Sequence, residues 1–63
     1  MSKIRVLLAE DHTVVRQGSR KILESDPEIE IAGEVGDGRS AVESAKRLRP
    51  NVIVIDIDLP GLN

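Results

Sequence analysis

The sequence contains no Phe, Tyr or Trp and no Cys. Without aromatics it lacks the side chains that bury the most area per residue. Without Cys, no disulfide and no thiolate–metal staple can hold it together. That absence also suits a reducing compartment. Basic charge is not in excess: 9 Lys and Arg stand against 11 Asp and Glu, a formal net charge of −2. This argues against a phosphate-backbone binder, which carries a basic face. No apolar run approaches the roughly 18 residues of a membrane span. Met1-Ser2-Lys3 and the apolar run after them are too short for a secretory signal, and Arg5 interrupts them. The expected protein is soluble and cytoplasmic. Its 63 residues allow one small domain. A chain of about 60 residues buries only about 60% of the surface its unfolded form exposes, so its stability is marginal.

What is present is a regular alternation of elements. Ile4 to Ala9, IRVLLA, is a mostly apolar run of strand length, ended by Glu10-Asp11-His12. Thr13 to Ser25 predicts a helix. Val14, Gly18 and Ile22 recur every four residues, Val15 and Leu23 join that face, and Arg16, Arg20, Lys21 and Glu24 fall opposite. Pro27 stops the chain from continuing helically. Ile29 to Val35, IEIAGEV, alternates strictly, which predicts a strand dry on one face, wet on the other, and at a sheet edge. Arg39 to Arg49 predicts a second helix with Ala41, Val42, Ala45 and Leu48 inward. Lys46, Arg47 and Arg49 sit near its C-terminus, where cations are favoured, and Pro50 ends it. Val52 to Ile57, VIVIDI, predicts a third strand, with four consecutive β-branched residues indicating burial on both faces.

The order β-α-β-α-β with short connections means a parallel sheet. Right-handed crossovers place the helices on its faces. With the half-wet second strand at the edge, the strand order is 2-1-3, an α/β doubly wound arrangement. The first and third strands then flank a topological switch point, where open α/β sheets bind ligands at their carboxyl ends. Glu10 and Asp11 end the first strand and Asp56 ends the apolar part of the third. Three carboxylates are thus expected at one crevice.

Such a cluster is costly alone. Two like charges about 4 Å apart repel by about 1 kcal/mol in water and about 4 at an effective dielectric of 20. A resident cation removes the repulsion. All-oxygen ligands with no His or Cys partner suit Mg²⁺. A carboxylate beside that cation is a competent nucleophile toward a phosphoryl group.

Two other patterns compete. Gly36 to Ala41, GDGRSA, matches the spacing of a dinucleotide-binding turn. Its strand carries Glu30 and Glu34, whereas a fingerprint strand is central and apolar on both faces, so the stretch reads as a Gly-rich turn feeding a helix. Asp56-Ile57-Asp58 also looks like the first motif of haloacid-dehalogenase-type Mg²⁺-dependent phosphatases, with Asp56 as nucleophile and Asp58 as general acid. That motif carries Thr or Val at the fourth position after the first Asp. Here the residue is Pro60, and two β-α units precede the strand. This remains the alternative reading. His12 reads as a surface or helix-capping residue, and Leu59-Pro60-Gly61 as a turn.

Taken together, LLAEDHTVVRQG, EIAGEVGDG and RPNVIVIDIDLPGLN resemble the receiver domain of bacterial two-component response regulators. The resemblance covers the chain and implies a flavodoxin-like sheet, of which residues 1–63 would be the N-terminal half. It implies that Asp56 is the phospho-acceptor, that Asp11 binds Mg²⁺ directly, and that Glu10 reaches it through water. The backbone carbonyl of Asp58 would complete the protein's share of the shell. The phosphoryl donor would be a sensor histidine kinase. The EDH start and VRQG helix look most like the subfamily with a C-terminal helix-turn-helix domain, so DNA would be bound only through a domain outside these residues, and the output would be transcription. Ser19 departs from the apolar residue usual at its position. The family's switch hydroxyl and Lys, from later strands, are not among these residues. Alone, they are therefore expected to be inactive in phosphoryl transfer, and either largely unfolded or self-associated through the third strand.

Overall fold

The computed structural model describes residues 3–61. Five elements succeed one another: β1 (Ile4–Ala9), α1 (Thr13–Glu24), β2 (Ile29–Val35), α2 (Gly38–Leu48) and β3 (Val52–Ile55). The strands form one parallel sheet in the order β2-β1-β3. The predicted architecture is therefore present, with β1 paired on both sides.

The core gathers on the central strand. Val6, Leu7, Leu8 and Ala9 are buried, joined by Ala41 from α2 and Leu59 from the turn after β3. Leu59 does more than turn the chain. It packs with Ala9, Ala41 and Val35 and anchors the turn beneath the end of the sheet.

The strict alternation of β2 does not survive folding. Ile31 lies beside Val6, but the next pair is Gly33 with Leu7, so Ala32 is an extra residue in the ladder. Such an irregularity flips the facing of every later residue in the strand. Gly33 and Val35 come to the α2 side: a methyl at Gly33 would lie 2.9 Å from Leu48 Cδ1 and 3.4 Å from Leu7 Cδ1. Glu34 comes to the α1 side. The expected wet carboxylate is half-buried there and ion-paired to Arg16 and Arg20.

This pairing also corrects the inner face of α1. Arg16, Ser19, Arg20 and Leu23 form its half-buried stripe, while Val14, Val15, Gly18 and Ile22 are exposed. Helical spacing allowed either stripe. The carboxylate on β2 draws the arginines inward. Ser19 is half-buried on that stripe.

α2 is held at both ends. Asp37 Oδ1 accepts from the Ser40 N–H at 2.8 Å, and Ser40 Oγ donates to Asp37 Oδ2 at 3.0 Å. At the far end Arg5 Nη1 donates to the carbonyls of Leu48 at 2.6 Å and Arg49 at 3.2 Å, and Arg49 closes the helix in the left-handed region. The inner face is Ala41, Ser44, Ala45 and Leu48; Val42, expected inward, is half exposed. The Gly-rich stretch has a structural partner. Gly38 N–H donates to the Pro60 carbonyl at 2.6 Å, and a methyl on Gly61, at φ +88°, would lie 3.2 Å from Gly38 N. A helix N-terminus that could hold a phosphate is thus taken up by the turn after β3.

β3 is shorter than predicted and is not buried. It ends at Ile55, and Val52, Ile53, Val54 and Ile55 are each 38–46% exposed. Among the described residues β3 is paired on one side only, which leaves its faces open. Between α2 and β3 lies an open apolar groove of about 290 Å³, lined by Ala41, Val42, Ala45, Ile53 and Ile55.

Candidate functional site

The site lies where β1 and β3 end side by side. The Asp56 N–H donates to the Ala9 carbonyl at 3.1 Å, one ladder step beyond β3, and this places the Asp56 side chain next to the loop after β1. Glu10 N–H donates to the Val35 carbonyl at 3.0 Å. Glu10 is therefore held between strands and is buried, at 7% exposure, although charged. Asp11 is exposed and Asp56 half-buried.

Glu10, Asp11 and Asp56 do converge. One ligand atom from each, with one from His12, lies within 4.8 Å of all the others. The donor set is three carboxylates and one imidazole, and carboxylates suit hard divalent cations. Asp58 is not in this cluster; its side chain is exposed. Its backbone N–H donates to Asp56 Oδ1 at 3.2 Å, and the Leu59 N–H donates to the Asp56 carbonyl at 3.1 Å. Asp56 thereby nucleates the turn and has one carboxylate oxygen engaged from behind.

The capping reading of His12 holds only in part. It does occupy the N-cap position of α1, but its side chain makes no capping bond. Its backbone N–H donates to Glu10 Oε1 at 2.9 Å, and its Nδ1 lies 2.9 Å from Glu10 Oε1 and 3.2 Å from Asp11 Oδ1. The bond to Glu10, then the charges of Asp11 and Glu10, hold the imidazolium above the usual histidine range. A His directly after two acidic residues was the available signal for this contact.

Around the loop lies a second layer of charge. Arg16 Nη1 donates to the Glu10 carbonyl at 2.7 Å, and its Nε lies 3.6 Å from Glu34 Oε1. Sequence reasoning places Arg16 on the outer face of α1 and misses this role.

Residues 6–63 match the response regulator receiver domain family. The chain belongs to that family. It is 49% identical over its whole length to protein-glutamate methylesterase/protein-glutamine glutaminase 2 of Carboxydothermus hydrogenoformans. It is 37% identical over 98% of its length to the transcriptional regulatory protein DegU of Brevibacillus brevis. It superposes on the signal receiver domain of NarL from Mycobacterium tuberculosis with a TM-score of 0.94, at 33% identity, covering 97% of this chain and 49% of that one. The chain spans 18% of the methylesterase and 26% of DegU. Proteins of quite different output thus share this receiver. The phosphatase reading loses its footing. The family is a receiver family, and the Asp58 side chain is exposed and outside the acidic cluster rather than facing a substrate beside Asp56.

Among the described residues no helix is long and apolar enough to cross a membrane.

Proposed function

We propose that Asp56 accepts a phosphoryl group from a sensor histidine kinase, with Mg²⁺ held by Glu10, Asp11, Asp56 and the backbone carbonyl of Asp58. The observation that carries this reading is the convergence of Glu10, Asp11 and Asp56 at the switch point of the sheet. The cluster fits the cation, because three carboxylates offer oxygen donors and their mutual repulsion favours any positive charge placed among them. When bound, the cation offsets the charge of the incoming phosphoryl oxygens.

The chain's own residues do the rest. The Asp58 N–H engages Asp56 Oδ1, leaving Oδ2 as the attacking oxygen. Oδ2 forms the new P–O bond while the P–N bond to the kinase imidazole breaks, and the bonding pair returns to that nitrogen. The Ala9 carbonyl and the Leu59 N–H hold the Asp56 backbone on both sides, so the carboxylate is oriented before the donor arrives. The receiver itself is a switch rather than an enzyme. The output we propose is transcription, in the cytoplasm, through a DNA-binding domain outside these residues. It is supported by the EDH and VRQG segments and by the likeness to DegU. The 63 residues on their own are proposed to be inactive in phosphoryl transfer and to self-associate through β3.

The test is to incubate the full-length protein with acetyl phosphate and Mg²⁺. A phospho-Asp lasting minutes or longer, mapped to Asp56 and absent from Asp56→Asn, is the expected result. Labelling that persists in Asp56→Asn, or rapid catalytic turnover of the phosphate donor, overturns it.

A further inference from the structure

The geometry points to Arg16 as the positioning residue for the acidic loop: it fixes the peptide plane between Glu10 and Asp11 and so sets where the Asp11 carboxylate stands. This rests on the reading of Glu10, Asp11 and Asp56 as a divalent-cation site. The peptide unit joining Glu10 to Asp11 is rigid and planar. Its carbonyl, that of Glu10, accepts from Arg16 Nη1 at 2.7 Å. The other backbone group of Glu10, its N–H, is held by Val35 at 3.0 Å. The side chain of Glu10 is engaged by His12. Glu10 is thus restrained at both backbone groups and at its carboxylate, and among the described residues Arg16 is the one restraint that acts on the plane leading into Asp11.

Arg16 is itself anchored. Its side chain is half-buried, at 23% exposure, and its Nε faces Glu34 Oε1 at 3.6 Å. Glu34 also pairs with Arg20, and Arg20 with Glu24 at 3.3 Å. One carboxylate on β2 therefore clamps two guanidiniums of α1. The bulge at Ala32 is what brings Glu34 to that side. A methyl at Gly36 would lie 3.5 Å from Arg16 Nη1, so the guanidinium also runs close along the loop after β2. A fork of several donors can span a carbonyl and a carboxylate in a way that a point charge cannot.

The charge and the position of Arg16 act in opposite directions on cation affinity. As a nearby positive charge it opposes Mg²⁺. As a brace for Asp11 it favours Mg²⁺. Arg16→Gln therefore gives a change whose sign decides the matter. The measurement is a titration of the full-length protein with Mg²⁺ alone, followed through the amide NMR shifts of Asp11 and Asp56. We expect Arg16→Gln to bind about tenfold more weakly, as when an outer partner of a metal ligand is removed. We expect Arg16→Lys to recover only a minor part of that loss, since a single ammonium can reach the Glu10 carbonyl or Glu34 but not hold both. Glu34→Gln, which loosens the anchor and leaves Arg16 in place, should weaken binding in the same direction by less; unchanged affinity there would show that the clamp carries no part of the positioning. Equal or tighter Mg²⁺ binding in Arg16→Gln overturns the inference while leaving the cation site intact, provided Asp11→Asn still loses affinity. Wild-type protein showing no Mg²⁺-dependent shift at Asp11 and Asp56 overturns the cation reading and the inference with it.

Discussion

β1 and β3 are neighbouring apolar strands of one sheet, yet they live in different environments. Leu7 and Ala9 on β1 are fully buried, whereas Ile53 and Val54 on β3 are 40% and 38% exposed. Composition does not separate them, since β3 is the more β-branched. Position does. β1 is paired on both sides and has α1 over one face and α2 over the other; β3 is paired on one side, to β1. The helices repeat the contrast. α2 is closed by Asp37 at its start and by Arg5 at its end, and buries Gly38, Ala41 and Ser44. α1 has no side-chain cap at its start and no fully buried residue, and Val14 and Ile22 stand open at 82% and 74%. Within residues 3–61 there is a closed flank and an open one, and the acidic site sits on the seam where β1 meets β3. Glu10 and Asp11 are held by the Val35 carbonyl of β2 and by Arg16 of α1. Asp56 enters from the open flank, secured by one ladder bond and by the turn that Leu59 anchors.

The sharpest way to break this comparison is to cut the same class of side chain on each flank. Leu7→Ala removes a fully buried side chain, and such truncations cost about 2–5 kcal/mol. That is enough to unfold a domain of this size. Val54→Ala truncates a side chain that is 38% exposed and should cost less than half as much. Urea denaturation of the two variants checks this, and equal losses would mean that β3 is covered as well as β1.

A second test addresses the open edge itself. An apolar, unpaired strand edge is a template for another chain, and β3 has apolar surface exposed on both faces. The 63-residue chain by itself should therefore sediment as an associated species at micromolar concentration. Val54→Lys, in the middle of that edge, should return it to monomer or leave it unfolded. A folded monomer of the unsubstituted chain would show that the edge is not adhesive.

The smallest effect concerns how the closed flank is capped. The backbone N–H and hydroxyl of Ser40 both donate to Asp37 and hold its carboxyl below the ordinary Asp range. Because the folded value is the lower one, this contribution is fully present above the unfolded pKa and is lost as pH falls through the folded value. Asp37→Asn keeps an oxygen acceptor at the N-cap but has no proton to take up. Its stability near neutrality should be close to wild type, and its loss of stability with acid should be shallower. Thermal unfolding over the acid range reads the difference. Parallel curves for the two proteins would mean that the cap does not depend on charge.

How much was legible can be judged from particular residues. The strand order, the switch point and the meeting of Glu10, Asp11 and Asp56 came from the sequence. Hydrophobic period, short connections and crossover handedness leave few ways to arrange β-α-β-α-β. These are local or topological rules, and one chain obeys them without knowing its own packing. The stripe that α1 turns inward, the bulge at Ala32, the burial of Leu59 and the contacts of His12 and Arg16 were decided only by the tertiary structure. Each depends on a partner far along the chain or on a register that periodicity cannot see. Arg16 turns inward because Glu34 awaits it, and Glu34 is there because β2 slips one residue against β1. The sequence by itself determined which carboxylates meet. Only the packed structure decided what holds them there, because a half-buried ion pair is favourable only once both of its partners and their backbone supports are in place.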